Sequence, residues 1–135
     1  AHMTRQFTAQ LALQFQLDGG FEVNHLGVSS WVAGAVAARW SFSEQWFAAA
    51  RIDGFFESVP TGATPIFWSV PWVSSATLTA EFRPVQRVSF RLEYRHDQAA
   101  GPLYFAGRVS NDSAGLAVPN AVSQDTLTLG VTSWF

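Results

Sequence analysis

Apolar and polar residues alternate along most of the chain with a period of two. In residues 6–17 the alternation is unbroken, and the apolar set falls on every second position. A helix would scatter such positions around its circumference, whereas a strand places them on one face. We therefore predict a strand over residues 6–17, slightly longer than the roughly 9–11 residues that cross a bilayer at a tilt. The apolar positions are Phe7, Ala9, Leu11, Leu13, Phe15 and Leu17.

Five further segments repeat the pattern, which gives six predicted strands in total. The additional strands are residues 31–41, 46–56, 74–83, 88–97 and 125–135. Short connections of four residues, 42–45 and 84–87, alternate with long ones, 18–30, 57–73 and 98–124. Short turns at one end and long loops at the other are typical of an antiparallel, up-and-down transmembrane β-barrel, so the predicted class is all-β. The pattern leaves open whether the barrel has eight strands or is part of a larger or oligomeric barrel.

The composition favours a membrane barrel over a soluble one. Charged residues make up only 13% of the chain, against about 25% in soluble domains. All eight cations are Arg, and a net charge of −2 gives no reason to expect nucleic acid as a partner. The longest apolar run, residues 31–38, is far shorter than the roughly 20 residues of a membrane helix. The lack of Cys excludes disulfides and thiolate catalysis.

Aromatic residues gather near the two ends of the predicted strands. Transmembrane barrels carry such girdles at both membrane interfaces. The polar faces hold Gln, Thr and charges of both signs, and so suit an enclosed interior better than a solvated surface. We expect the apolar face to meet outer-membrane lipid. The predicted girdle consists of Trp31, Trp40, Trp46, Phe56, Trp72, Phe82 and Tyr94.

Three stretches resemble known outer-membrane proteins. Residues 125–135 resemble the C-terminal strand that the barrel-insertion machinery reads, with Leu127, Leu129, Val131 and Phe135 as its signal positions. Residues 91–97 and 51–53 resemble strands of the OmpL-like β-barrel porin family, and the likeness over residues 31–135 covers the C-terminal part of such porins. It implies a porin-like barrel and a partnership with the insertion machinery. It implies neither a particular solute nor any catalytic residue.

Charged side chains share the parity opposite to the apolar face and are the predicted lining of the lumen. The turn at 84–87 should bring Glu81 opposite Arg91, where opposite charges support strand pairing. In a barrel of about eight strands these charges would fill the interior, whereas in a larger one they would line a pore. The set is Arg39, Arg51, Asp53, Glu57, Glu81, Arg83, Arg91, Glu93, Arg95 and Asp97.

No constellation points to an enzyme, a metal or a cofactor. His96 and Asp97 are neighbours in a strand and point to opposite faces, so they form no dyad. His96 is expected at the lipid interface. His25 lies in a predicted loop without a second ligand at metal spacing, so it is expected to be solvated.

The leading hypothesis is a porin-like barrel for passive diffusion of small hydrophilic solutes. The alternative is a small, non-conducting structural or adhesive barrel with a charge-filled lumen. Residues 1–3 read as a cloning scar and 4–135 as one barrel domain or barrel segment. Six strands would leave two edges in lipid, so we expect further strands from self-association or a longer parent chain. A hairpin hidden in the long loop, at residues 103–107 and 115–118, would be another source.

Deletion of Phe135 is predicted to slow assembly in cells while leaving refolding in detergent nearly unchanged, because the residue acts as a targeting signal. Surface levels and in vitro refolding rates of the deletion and the parent protein measure the two effects. Equal surface levels would contradict the idea.

Overall fold

The computed structural model describes all of residues 1–135 as one antiparallel sheet of seven strands in chain order. The fold is thus all-β, as predicted, with one strand more than the alternation suggested. No helix in it has the length and apolar character to cross a membrane. The strands are β1 (His2–Gln6), β2 (Leu11–Asn24), β3 (Gly27–Ser41), β4 (Trp46–Ser58), β5 (Trp72–Val85), β6 (Val88–Ala99) and β7 (Ser123–Ser133).

The sheet is inverted relative to that of a soluble protein. Of the chain's eight buried residues, six are polar or charged and lie in strands, so the enclosed side of the sheet is the polar side. The exposed face carries large apolar side chains from β2 to β7, and Leu129 reaches 81% exposure. Such an arrangement costs free energy in water but is the expected one in lipid, where the apolar face is the solvated one.

The register keeps each face pure across the sheet. Leu13 lies opposite Ala38, Ala38 opposite Ala50, and Ala50 opposite Leu78, all on the apolar face. A slip of one residue in any pair would turn a whole strand's apolar side chains toward the polar side. The alternation read in the sequence therefore also fixes the pairing of neighbouring strands.

The predicted first strand over residues 6–17 is wrong, because a turn at residues 7–10 divides it between β1 and β2. The turn is held by Thr8, whose Oγ1 accepts hydrogen bonds from the backbone N–H of Gln10 and Leu11 at 3.2 and 3.0 Å. Thr is a residue that competes with strand pairing by bonding its own local backbone. The alternating pattern continues through the turn and so conceals it.

The predicted long loop over residues 18–30 is also wrong. β2 and β3 continue past its limits and meet in a two-residue hairpin turn formed by His25 and Leu26. The Leu26 N–H donates to Asn24 Oδ1 at 2.9 Å, and Gly27 has a φ of 135°, which favours glycine. Both strands reach beyond their strictly alternating cores, so the sequence pattern fades before the strand ends.

The other strands keep their predicted places, with limits that differ by at most two residues from those of the alternation. β5 gains two residues at each end, and its pairing with β6 shifts register between Phe82 and Val85. Pro84 lies within that shift and has no N–H to donate to the ladder. β7 ends at Ser133, so Phe135 lies beyond the last strand.

Two long loops, residues 59–71 and 100–122, extend from the same end of the sheet. The second does not contain the additional pair of spans considered above. It forms only isolated bridges, between Tyr104 and Ala121 and between Asn111 and Ala117. The sheet itself is open, since β1 and β7 each pair on one side only.

Replacing Leu129 by Arg is predicted to destabilise the folded protein in bilayers by about 2–4 kcal/mol, because that side chain lies on the apolar face near mid-depth. The matched control is Thr128→Arg on the adjacent position, which lies opposite Glu93 on the polar face. Urea unfolding in lipid vesicles gives both free energies. Equal losses would mean that the two faces are not distinguished by lipid.

Candidate functional site

The polar face of the sheet carries two adjacent rows of opposite charge. In one row Arg51 and Arg95 flank Thr77, in register across β4, β5 and β6. In the next row Asp53 and Asp97 flank Ser75 in the same way. The strands place the charges at alternate positions, and the register aligns them, so both rows follow from the period of two.

Within these rows each arginine reaches the aspartate two residues further along its own strand. Arg51 Nε lies 3.0 Å from Asp53 Oδ2, and Arg95 Nε lies 2.7 Å from Asp97 Oδ1. Ser75 donates a hydrogen bond to Asp53 Oδ1 at 2.8 Å. Asp53 Oδ2 is enclosed and accepts no well-aligned hydrogen bond. The rows are thus a network of charges with unused acceptor capacity.

A cavity of about 610 Å³ lies over the two rows. Its walls include Gln16 of β2 and Gln124 of β7, so the sheet curls until its second and last strands face one space. Trp68 of one long loop and Tyr104 of the other also line it. Burial, together with the negative charge of Asp97, raises the pKa of Tyr104 above its usual 10.0, so this side chain is a neutral hydroxyl at physiological pH.

Nearer the short turns, Glu81 is the centre of a second network. Arg83 Nε lies 2.5 Å and Ser89 Oγ 3.0 Å from its carboxylate, and both donate to it. Arg91 lies directly opposite in the register, with its Nη2 3.9 Å away, which confirms the expected cross-strand pair. Only 8% of the Glu81 side chain is exposed.

At the same end an aromatic ring separates Arg83 from one further cation, Arg39. Arg39 and Arg83 each place a guanidinium over Phe47, 4.3 and 4.7 Å from the ring centroid. Cation–π contacts of this kind stabilise a cation without neutralising it. The short-turn end of the polar face therefore keeps positive charge.

The first long loop is fixed to the polar face by one carboxylate and an aromatic cluster. Glu57 accepts hydrogen bonds from the backbone N–H of Ile66 and of Phe67, the latter at 3.3 Å. Phe67 packs edge-on against Trp31 and Phe55, with ring centroids 5.3 Å apart in both pairs. The structure thus places Trp31 on the polar side, not on the outward face that a girdle requires. In a strand, neighbouring residues point to opposite faces. Because Val32 points outward, the sequence already indicated that Trp31 points to the polar side.

The other predicted girdle residues lie on the outward face. Trp46 stacks on Phe82 with centroids 4.5 Å apart at the short-turn end, where Trp40 stacks on Phe42 at 6.2 Å. At the long-loop end Phe56 pairs with Trp72 across β4 and β5. The remaining one, Tyr94, lies nearer the middle of its strand, between Leu92 and His96 on the outward face.

All ten predicted charges lie on the polar face. Nine of them take part in the contacts described above, and Glu93 accepts a hydrogen bond from Thr79. The insertion-signal positions Leu127, Leu129 and Val131 are outward and exposed, and Phe135 follows the strand in full exposure. His25 lies in the hairpin turn between β2 and β3.

Sequence reasoning missed one polar cluster, on the outward face. Asp125 Oδ1 accepts a hydrogen bond from the Tyr94 hydroxyl at 2.7 Å and lies 2.8 Å from His96 Nδ1. Asp125 is 29 residues from His96 and becomes its neighbour only through the β6–β7 register. The cluster is exposed and contains no Ser or Cys nucleophile. No group of three His, Asp or Glu in the chain is placed to hold a metal ion.

An antiparallel meander with apolar side chains outside and charges inside defines the class of transmembrane β-barrels. The family described as "Putative beta-barrel porin-2, OmpL-like" matches residues 2–135, and the chain belongs to this family. The match extends the resemblance noted for residues 31–135 over β1, β2 and the start of β3. No curated protein and no solved structure matches the chain.

Replacing Glu81 by Gln is predicted to lower the free energy of unfolding by about 1–3 kcal/mol, because a nearly buried carboxylate that accepts charge-assisted hydrogen bonds is lost. The control is Glu93→Gln, which removes the same charge where the carboxylate accepts one hydrogen bond, from Thr79 at 3.1 Å. Unfolding in lipid vesicles measures both. A larger effect at Glu93 would show that Glu81 is not the centre of the network.

Proposed function

We propose that this chain forms, or forms part of, a porin-like barrel in the bacterial outer membrane and gives passive diffusion of small hydrophilic solutes. One observation carries the proposal: the curled polar face encloses a cavity bordered by Arg, Asp, Gln and Tyr side chains. A wall with both donors and acceptors replaces part of a solute's hydration without binding any one solute tightly. Membership of a porin family supports the same conclusion.

The open sheet requires a partner for each edge. Unpaired N–H and C=O groups of β1 and β7 would cost several kcal/mol each in hydrocarbon. We propose that further strands close the barrel, supplied by other copies of this chain or by a longer parent chain. Outer-membrane lipids then contact the apolar face, and the barrel-insertion machinery reads the residues that include Leu127, Leu129, Val131 and Phe135.

A second candidate is a non-conducting structural or adhesive barrel. It is favoured by the ion pairs of the two rows, which partly neutralise each other, and by the loop residues that lie over the cavity. A charge-filled, covered interior is what a small closed barrel needs for stability. Neither candidate requires catalysis, and the Ser75 and Ser89 hydroxyls on the polar face serve as hydrogen-bond donors to Asp53 and Glu81.

Conductance across a planar bilayer separates the two candidates. The protein in detergent is predicted to insert and to give discrete current steps, and vesicles that contain it are predicted to swell in small neutral sugars. Absence of both would favour the non-conducting barrel.

A matched pair of variants links the current to the polar face. Thr77→Trp places a large ring between Arg51 and Arg95 and is predicted to reduce the current step. Ala76→Trp, on the adjacent outward position, is predicted to leave the step unchanged. A reduction by the outward variant alone would contradict the proposed lumen.

A further inference from the structure

Charges on the polar face are separated along the strands. Position is counted from the short-turn end of each strand, at which β2, β4 and β6 begin and β3, β5 and β7 end. Within five residues of that end lie four cations and two anions, a net charge of +2, namely Arg39, Arg51, Arg83, Arg91, Glu81 and Glu93. Further along lie one cation and five anions, a net charge of −4, namely Arg95, Asp18, Glu22, Asp53, Glu57 and Asp97.

The connecting segments do not cancel this separation. In the short turns Arg87 is balanced by Glu44, and in the long loop of residues 100–122 Arg108 is balanced by Asp112. The net charge at each end of the sheet therefore has the same sign as the net charge of its strand residues.

Ion pairing reduces the separation without removing it. The tight pairs Arg51–Asp53, Arg95–Asp97 and Arg83–Glu81 remove one cation and one anion each, and Asp18 lies 3.4 Å from the N-terminal ammonium. Arg39 forms no ion pair and contacts Phe47 instead, so positive charge persists at the short-turn end. At the other end, Glu57 is held by backbone N–H groups and Glu22 forms no ion pair, so the negative charge persists there.

Such a wall makes the two mouths of a pore attract ions of opposite charge. A low-dielectric wall focuses the field of its charges into the pore, so the long-loop mouth concentrates cations and the short-turn mouth concentrates anions. Screening acts over about 8 Å at physiological ionic strength, a length comparable with the width of a narrow pore.

We propose that the pore rectifies, with more current when the long-loop side is positive. At that polarity cations enter through the anionic mouth and anions through the cationic mouth, so both accumulate where the zones meet and conductance rises. At the opposite polarity both kinds of ion are drawn away from the junction and conductance falls. This inference rests on the proposed conducting function.

The test is the current–voltage relation of single channels in symmetric salt. The expected ratio of currents at equal and opposite voltages is roughly twofold or more at about 0.1 M salt, where the Debye length is about 10 Å. It should approach one at about 1 M, where that length is about 3 Å. The chain has no Cys, so Ser113→Cys gives a unique site in the long loop. Biotinylation there, with streptavidin added to one side, reports the orientation.

Two variants and a control identify the charges responsible. Arg39→Gln should lower the ratio and shift the reversal potential in a salt gradient toward cation selectivity, whereas Glu22→Gln should lower the ratio and shift it toward anion selectivity. Arg5→Gln removes a cation from the outward face, opposite Leu13, and should change neither.

The outcomes separate the inference from the function on which it rests. A linear relation at low salt, or more current when the short-turn side is positive, would overturn rectification and leave the pore intact. A silent bilayer would overturn the conducting function and rectification together. Since the parent protein alone gives these results, the test does not depend on the variants folding.

Discussion

The need to pair every backbone N–H and C=O group where no water is available governs this structure. The chain meets it with strands alone, and 61 of its 80 backbone–backbone hydrogen bonds lie within the sheet. A sheet of this kind has one face for lipid and one for the interior, so strict alternation along each strand follows. The outer edges of β1 and β7 do not meet this requirement in the open sheet. Closure by further strands therefore accompanies any functional proposal.

Inversion of the faces determines where charge can reside. Because lipid excludes charge, nearly all ionised side chains of the strands lie on the polar face, where they must satisfy one another. Ser75 and Ser89 contribute hydroxyl donors to the carboxylates of this face, and the first long loop contributes backbone N–H groups to Glu57. The interior is therefore polar and cross-linked, and its cavity remains beside the rows of Arg and Asp. The proposed conduction and the stability of the fold therefore depend on the same side chains.

Charge is distributed asymmetrically along the strands, so the two ends of this interior differ. Residues near the short turns keep cations through arrangements that do not neutralise them, as with Arg39 on Phe47. Carboxylates near the long loops serve partly to hold the loops, as Glu57 does. Carboxylates that hold the long loops thus contribute to the separation of charge along the strands. A directional conductance would be the consequence of that separation.

Alternation in the sequence determined the class of fold, the faces of the strands and the pairing of Glu81 with Arg91, because a period of two sorts side chains whatever the partner strand. It could not reveal the turn at Thr8, since that turn preserves the alternation, nor the hairpin at Gly27, where the pattern fades. Only the tertiary structure decided that Trp31 joins Phe67 under a loop and that Asp125 meets His96 and Tyr94. Those contacts depend on register and loop folding between residues distant in the chain, and a local periodicity carries no information about either.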